Sequence, residues 1–317
     1  MLAGMPESEG RSPALRTTGA GGRIFDVANH LFLILLSVSI LLPFMRQITI
    51  SLSTAEEALR FGAHILPNFQ QITVAAYERI FQTDSIARAY FWTLARTGVG
   101  TTLTLLVTGL MAYPLAKRYL PLRRFWTVFV FATMFFSGGL IPTYLLVRSL
   151  GLINTLMALV LPGLISAFAL IVMRSFMLTL PEDLEESARI DGAGELLVFF
   201  RIVMPMAKPV FAVVALWTIV EHWNAWFDAL IYITDPRIKV LQQLLRRVLL
   251  ESDFSYAGLG TTETAAQMMA QERLLREYTP ETIKAAILLV TTIPILLAYP
   301  FMQKYFVKGA LIGALKG

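Results

Sequence analysis

Residues 149–173 run for 25 positions without an Asp, Glu, Lys or Arg, and shorter charge-free runs cover 27–45, 97–116, 125–147 and 285–303. A hydrocarbon core about 30 Å thick is crossed by roughly 20 apolar residues in a helix, so each run has close to the length of one crossing. A sixth stretch, 209–234, is apolar apart from Glu221 and Asp228. The chain as a whole is 56% hydrophobic and 15% charged, where a soluble domain carries about a quarter charged residues. The expectation is an all-α membrane protein with six transmembrane helices, at about 27–46, 92–116, 125–148, 150–174, 206–233 and 284–303.

Orientation follows from the short segment "KRYLPLRR", 117–124, which holds four basic residues and belongs on the cytoplasmic side. Both termini then lie in the cytoplasm, with 1–24 as a polar tail ahead of an uncleaved signal-anchor, and with 47–90 and 235–282 as external segments. The density of that short segment carries the assignment, since the 27 basic residues overall divide almost evenly between the two sides; a pI near 9.5 is no argument for a nucleic-acid partner, and no run alternates basic and aromatic residues. The absence of cysteine excludes disulfides and thiol chemistry. No G-x-x-x-x-G-K-[ST] run exists to cradle a nucleotide. Glu221 and His222 are adjacent and diverge around a helix, so they make no metal pair, and we assign neither catalytic nor metal residues.

Two further segments carry structural information. Ser137, Gly138 and Gly139 followed by Pro142 interrupt the third run at a depth where irregular backbone must be buried or line a cavity. "KVLQQLLRRVLLESDF" places Leu241, Leu244, Leu245, Val248 and Leu249 on one helical face, either to cover the bundle or to meet a partner.

The charged stretch 181–205 interrupts the apolar chain. Pro181, Glu182 and Asp183 suit a helix start, and Glu185 and Arg189 form an i, i+4 pair. Gly192 suits the stop, with Asp191 bracing the turn through its side chain and Glu195 opening a second helix. On physics alone this is an interfacial hairpin or a docking element. The order Glu186-Ser187-Ala188, three residues, Gly192, nine residues, Ile202, one residue, Met204-Pro205 resembles the cytoplasmic EAA signature of permease subunits of binding-protein-dependent ABC importers. Ser187 and Met204 depart from the family's Ala and Leu. "FFSGGLIPTYLLVRSLGLINT", "HWNAWFDALIYI" and "YPFMQKYFVKGALIGALKG" extend the resemblance to the carbohydrate-importing, MalG-like class and, within it, the LplC/YtcP branch.

That resemblance implies a type I ABC importer (MetI-like) permease fold with a cytoplasmic coupling helix, in a bacterial inner membrane. It implies four kinds of partner besides the bilayer: a second homologous permease, two ATPase subunits, an extracytoplasmic solute-binding protein and a sugar. No cofactor is bound by this chain, ATP and Mg being held by the ATPases. Glu186 inherits a salt bridge to the ATPase, and Glu185, Ser187, Ala188, Arg189, Asp191, Gly192, Ile202 and Pro205 complete the coupling segment. The C-terminal segment is a second point of reach to the ATPases. Uronic-acid-containing, alginate-like chains are among the saccharides the branch points to.

The fifth crossing carries "EHWNAWFD". Glu221 lies roughly 24 Å along a helix from Pro205, in the outer half of the membrane, where an ionisable group usually faces a cavity. Glu221, Trp223, Asn224, Trp226 and Asp228, with Tyr144 of the third crossing, are the candidate substrate path. An aromatic belt is the competing account of Trp223 and Trp226. An ion-coupled carrier is the competing account of Glu221 and Asp228.

Overall fold

The computed structural model describes residues 20–59, 72–251 and 279–314. Three of its helices are long and apolar enough to cross a membrane: α1 (Ala20–Ser51), the later α4 (Asp84–Ala116) and the last helix, apolar over Pro280–Leu297. Between α1 and α4 lie α2 (Ala55–Leu59) and α3 (Ala75–Phe81). Next come α5 (Arg123–Ala132), α6 (Leu140–Ser149), α7 (Leu156–Val160) and α8 (Ala167–Met177). The charged stretch forms α9 (Asp183–Ile190), α10 (Glu195–Val198), a π-helical turn (Phe199–Val203) and α11 (Met204–Met206). The chain continues through α12 (Lys208–Asn224), α13 (Phe227–Tyr232), α14 (Leu241–Arg246) and α15 (Pro280–Ala314).

Two more spans are bent. Leu156–Gly163 meets Ala167–Met177 at 58°, and Glu195–Met206 meets Lys208–Asn224 at 82°. Prolines account for both breaks: Pro162 and Pro209 lack the N–H that would continue the helix. Straight and bent spans together make three to five, not the six of the sequence reading. The difference is residues 125–148, which divide into α5 and α6, ten residues each. Ten residues rise about 15 Å, half a hydrocarbon core. The break falls at Gly138 and Gly139 ahead of Pro142 as read, but it is not buried within this chain, since Phe135, Phe136 and Ile141 are exposed.

α4 is the central post. It runs antiparallel to α12, with Gly109 against Phe211 and Gly100 against His222. A first core joins Ala112, Tyr113 and Ala116 of α4 to Met173 and Met177 of α8, to Phe199 and Val203, and to Val210, Phe211 and Val214 of α12. A second core joins Ile86 and Ala89 to Trp223, to Leu241, Leu244 and Val248, and to Ile287 of α15. The amphipathic segment near 240–250 therefore turns its apolar face onto the bundle. α1 is different: none of its most apolar stretch is buried within the chain.

Backbone groups freed by proline are reclaimed across helices. Pro294 inside α15 cannot donate to the Val290 carbonyl, and the Tyr90 hydroxyl from α4 donates to it instead. Trp223 Nε1 donates to the next carbonyl, Thr291 O, at 3.2 Å.

A Cβ at Gly100 would overlap the His222 ring, whereas one at Gly98 meets nothing within 4 Å. Overpacking a close helix contact costs about 1–3 kcal/mol. Gly100→Ala is therefore expected to lower the thermal midpoint of the detergent-purified protein, and Gly98→Ala to leave it unchanged or raise it.

Candidate functional site

The first site is the charged hairpin of α9 and α10. α9 carries Asp183, Glu185 and Glu186 in its first turn, the arrangement its dipole favours. It ends in a left-handed residue, Gly192 at φ +87. Gly192 N donates to Arg189 O at 3.0 Å and Ala193 N to Ala188 O at 2.9 Å, the paired bonds that close a helix on glycine. These backbone bonds do the bracing expected of the Asp191 side chain, which is exposed and accepts no hydrogen bond from the described residues.

Glu185 is turned inward and is 3% exposed. It pairs with Lys117, the residue just past α4, and lies 3.3 Å from Arg189 Nη2 and 3.3 Å from the Tyr113 hydroxyl. The Tyr113 hydroxyl donates to Glu195 Oε2 at 2.7 Å. Arg189 Nε donates to Glu195 Oε1 at 2.9 Å and Arg189 Nη2 to the Tyr119 hydroxyl at 3.1 Å. Lys117 also sits 4.6 Å from the Tyr113 ring centre. Two cations and two carboxylates thus form a neutral cluster. The Arg189 hydrogen bond holds the Glu195 carboxyl below the usual carboxylate range, and burial opposes it only in part. The stabilisation from that depressed carboxyl is complete above the ordinary carboxylate range and is lost as pH falls through the lowered value.

Glu186 and Ser187 face outward and Pro205 is exposed, while Ala188 and Ile202 are half-buried against the first core. Ser187 Oγ is tied back to Asp183 O at 2.8 Å. Ile190 is 87% exposed, with Leu184 and Leu196 also bare. Beside them is a hollow of about 360 Å³ lined by Ala188, Gly192, Ala193, Arg201 and Ile202. Of the residues grouped for coupling, Glu185 is thus an internal contact. Neighbouring helix positions diverge by about 100°, and it is Glu185 that faces the end of α4.

The second site is a cavity of about 440 Å³ near the C-terminal end of α12, where Glu221, Asn224, Trp226 and Asp228 gather with His222 and Tyr232. The helix stops at Asn224, freeing the Ala225 carbonyl. Arg96 of α4, itself 3% exposed, donates to that carbonyl at 3.3 Å and forks onto both oxygens of Asp228. Asp228 Oδ1 also accepts from Ala229 N at 2.8 Å, at the start of α13. The ion pair cancels, which leaves the exposed Glu221 as the uncompensated charge of the lining.

Trp223 is not part of this lining. It is buried in the second core and bonded to α15, because it points to the opposite side of α12 from Glu221 and Asn224. Trp226 is half-buried, with the Arg246 guanidinium 3.5 Å from its ring centre. Tyr144 stands one layer back, stacked on Tyr232 at 6.3 Å. Arg96, Tyr113 and Lys117 were missed by sequence reasoning. Arg96 stands one residue before a charge-free run, and a charge at the edge of a run that continues as helix was the available signal.

Comparison with known proteins agrees with this geometry. Residues 103–311 match the family described as "Binding-protein-dependent transport system inner membrane component". The chain is 43% identical over 297 residues to Protein LplC of Bacillus subtilis (strain 168), covering 93% of this chain and 96% of that one. It is 38% identical over 300 residues to the polygalacturonan/rhamnogalacturonan transport system permease protein YtcP of the same organism, covering 93% and 99%. A crystal structure of a bacterial ABC transporter involved in the import of the acidic polysaccharide alginate contains a chain that superposes with a TM-score of 0.82 at 28% identity, covering 91% of this chain and 98% of that one.

Removing one partner of a buried pair strands the other and costs about 3–5 kcal/mol, whereas an apolar pair of similar volume is often neutral. Arg96→Met is expected to lower the thermal midpoint markedly and Arg96→Met/Asp228→Leu to recover most of the loss, read by thermal unfolding in detergent. Gly192→Ala has steric room but a left-handed backbone, and is expected to cost about 1–2 kcal/mol in the same assay.

Proposed function

The chain belongs to the inner-membrane component family of binding-protein-dependent transport systems, and from that premise we propose that it is the permease subunit of an ATP-driven importer for acidic oligosaccharides. It is a transport subunit and not an enzyme. In this reading it crosses the bacterial inner membrane six times with both termini inside, the third crossing being the broken α5–α6 pair.

The observation that carries the reading is the division of labour on α9. Its inner face is locked into the bundle by Glu185, while its outer face presents Glu186 and the bare Ile190, with the exposed Leu196 following on α10. Exposed aliphatic side chains next to an unpaired carboxylate, on a helix held from behind, suit a groove in a cytoplasmic ATPase subunit. ATP and Mg reside there, and two such subunits close on nucleotide to move α9.

Lipid does not tolerate irregular backbone, so the exposed break at residues 133–139 and the aromatic face of α5 suit cover by a second, homologous permease. The cavity beside Arg96 opens toward that side through Leu140. A solute-binding protein delivers cargo from outside. The names of two relatives, one a galacturonan permease and one from an alginate importer, favour uronate-containing chains. Since Arg96 is neutralised by Asp228 and Glu221 remains, a uronate carboxylate finds its counter-charge on the second permease or the binding protein. Ion-coupled carriage is not favoured, because Asp228 is already engaged by a cation of the chain.

Reconstituted with its partners in proteoliposomes, the complex is expected to take up oligogalacturonides on addition of ATP, to be blocked by vanadate and to ignore a protonophore. Glu186→Ala is expected to cut uptake by about tenfold or more, as loss of one member of a partly buried interfacial charge pair does. Uptake driven by a proton gradient without ATP would refute the proposal.

A further inference from the structure

We propose that Lys117 and Glu185 are positioning residues that make α9 move α4 directly, and that this link stays closed because the four-charge cluster is neutral. The inference rests on the transport reading above, in which α9 is the element the ATPases move.

The covalent routes from α9 into the membrane are interrupted. Toward α8 the chain passes residues 178–182, which are not helical, and the α7–α8 span above is bent by 58°. Toward α12 it passes the glycine turn, a π-helical turn and the 82° bend at Ala207. A push on α9 is absorbed at such joints. α4 is one continuous helix of 33 residues, with Pro114 in its last turn, Lys117 just beyond it and Arg96 of the cavity on the same helix. Twenty-one residues separate those two, about 32 Å of helix. Among the described helices that touch the hairpin, α4 is a single span, not one of the bent pairs, and it also reaches the cavity. No covalent connection between α4 and α9 is shorter than residues 117–182, so the mechanical link is the contact itself.

The contact has the properties such a link needs. Glu185 and Lys117 are both buried. Tyr113 is held from below by Glu195 and from the side by the Phe199 ring at 5.5 Å. Arg189 and Glu195 compensate each other, so the Lys117–Glu185 pair is separately neutral. Removing one member strands a buried charge, which drives the surfaces apart to admit water. Removing both leaves the remaining pair intact.

The test uses the complete complex in proteoliposomes, with ATP hydrolysed and sugar taken up measured per assembled complex. Lys117→Met and Glu185→Met are expected to keep hydrolysing ATP while sugar per ATP falls about tenfold. Lys117→Met/Glu185→Met, neutral and of similar bulk, is expected to return the wild-type ratio. A merely structural role would lower the amount of complex and leave the ratio unchanged.

Should the single variants fail to assemble, Lys117→Cys/Glu185→Cys decides, because it is neutral but too short to keep contact and the chain has no other cysteine. It is expected to be uncoupled as made and recoupled by a short bis-thiosulfonate linker. Wild-type sugar per ATP in Lys117→Met, or in the unlinked cysteine pair, overturns the inference and leaves the transport reading standing. A wild-type chain that neither binds an ATPase subunit nor uses ATP overturns both.

Discussion

A carboxylate taken out of water must be given cations and hydrogen-bond donors in its place, and Glu185 is the carboxylate on which this molecule turns. Its partners come from two helices: Lys117 and Tyr113 at the end of α4, remote in sequence, and Arg189 one turn on in its own helix. Satisfying it fixes the rotation of α9 about its axis. Once Glu185 points in, Glu186 and Ile190 point out, and the hairpin presents one defined face away from the bundle. The glycine turn after α9 then aims α10 back at the bundle, so that Glu195 completes the cluster.

The same demand recurs at the outer end, where lipid supplies no hydrogen bonds. Arg96 and Asp228 satisfy each other and the stray Ala225 carbonyl, and so pin α4 to the break after α12. Tyr90 and Trp223 cover carbonyls on α15 around Pro294. α4 thus carries one charged lock just past its end, at Lys117, and another within its length, at Arg96, separated by a close-packed stretch in which Gly100 and Gly109 admit His222 and Phe211. In the proposal above, a helix held this way carries displacement along its length. Among the described residues, bare apolar surface lies on α1, on α5 and at the break before α6, which the proposed function assigns to a companion subunit.

Periodicity and charge spacing made much of this legible. Charge-free length located the three straight spans and the two bent ones but overcounted at residues 125–147, where residues 137–142 announced the break. Gly192 marked the end of α9, and the order of Glu186, Gly192, Ile202 and Pro205 carried the family resemblance. The direction a side chain faces was not legible in the same way. Glu185 and Glu186 are adjacent and identical, and only a lysine 68 positions away decides between them. Trp223 and Trp226 share one short motif, yet Trp223 packs onto α15 while Trp226 lines the cavity beneath Arg246. Arg96 escaped notice because its partner is 132 positions distant. Long-range pairing of this kind leaves no periodic trace.

The account stands on α9 having an inner face that belongs to this chain and an outer face that belongs to a motor subunit. Thiol labelling measures that division directly, since a single cysteine placed in the chain is the only one present. Cysteine at position 190 is expected to react rapidly with a membrane-impermeant maleimide in the isolated permease and to be protected when the ATPase subunits are bound, while cysteine at position 119, beside the cluster but off the outer face, keeps its rate. Equal reactivity of position 190 with and without the ATPase subunits would contradict the account.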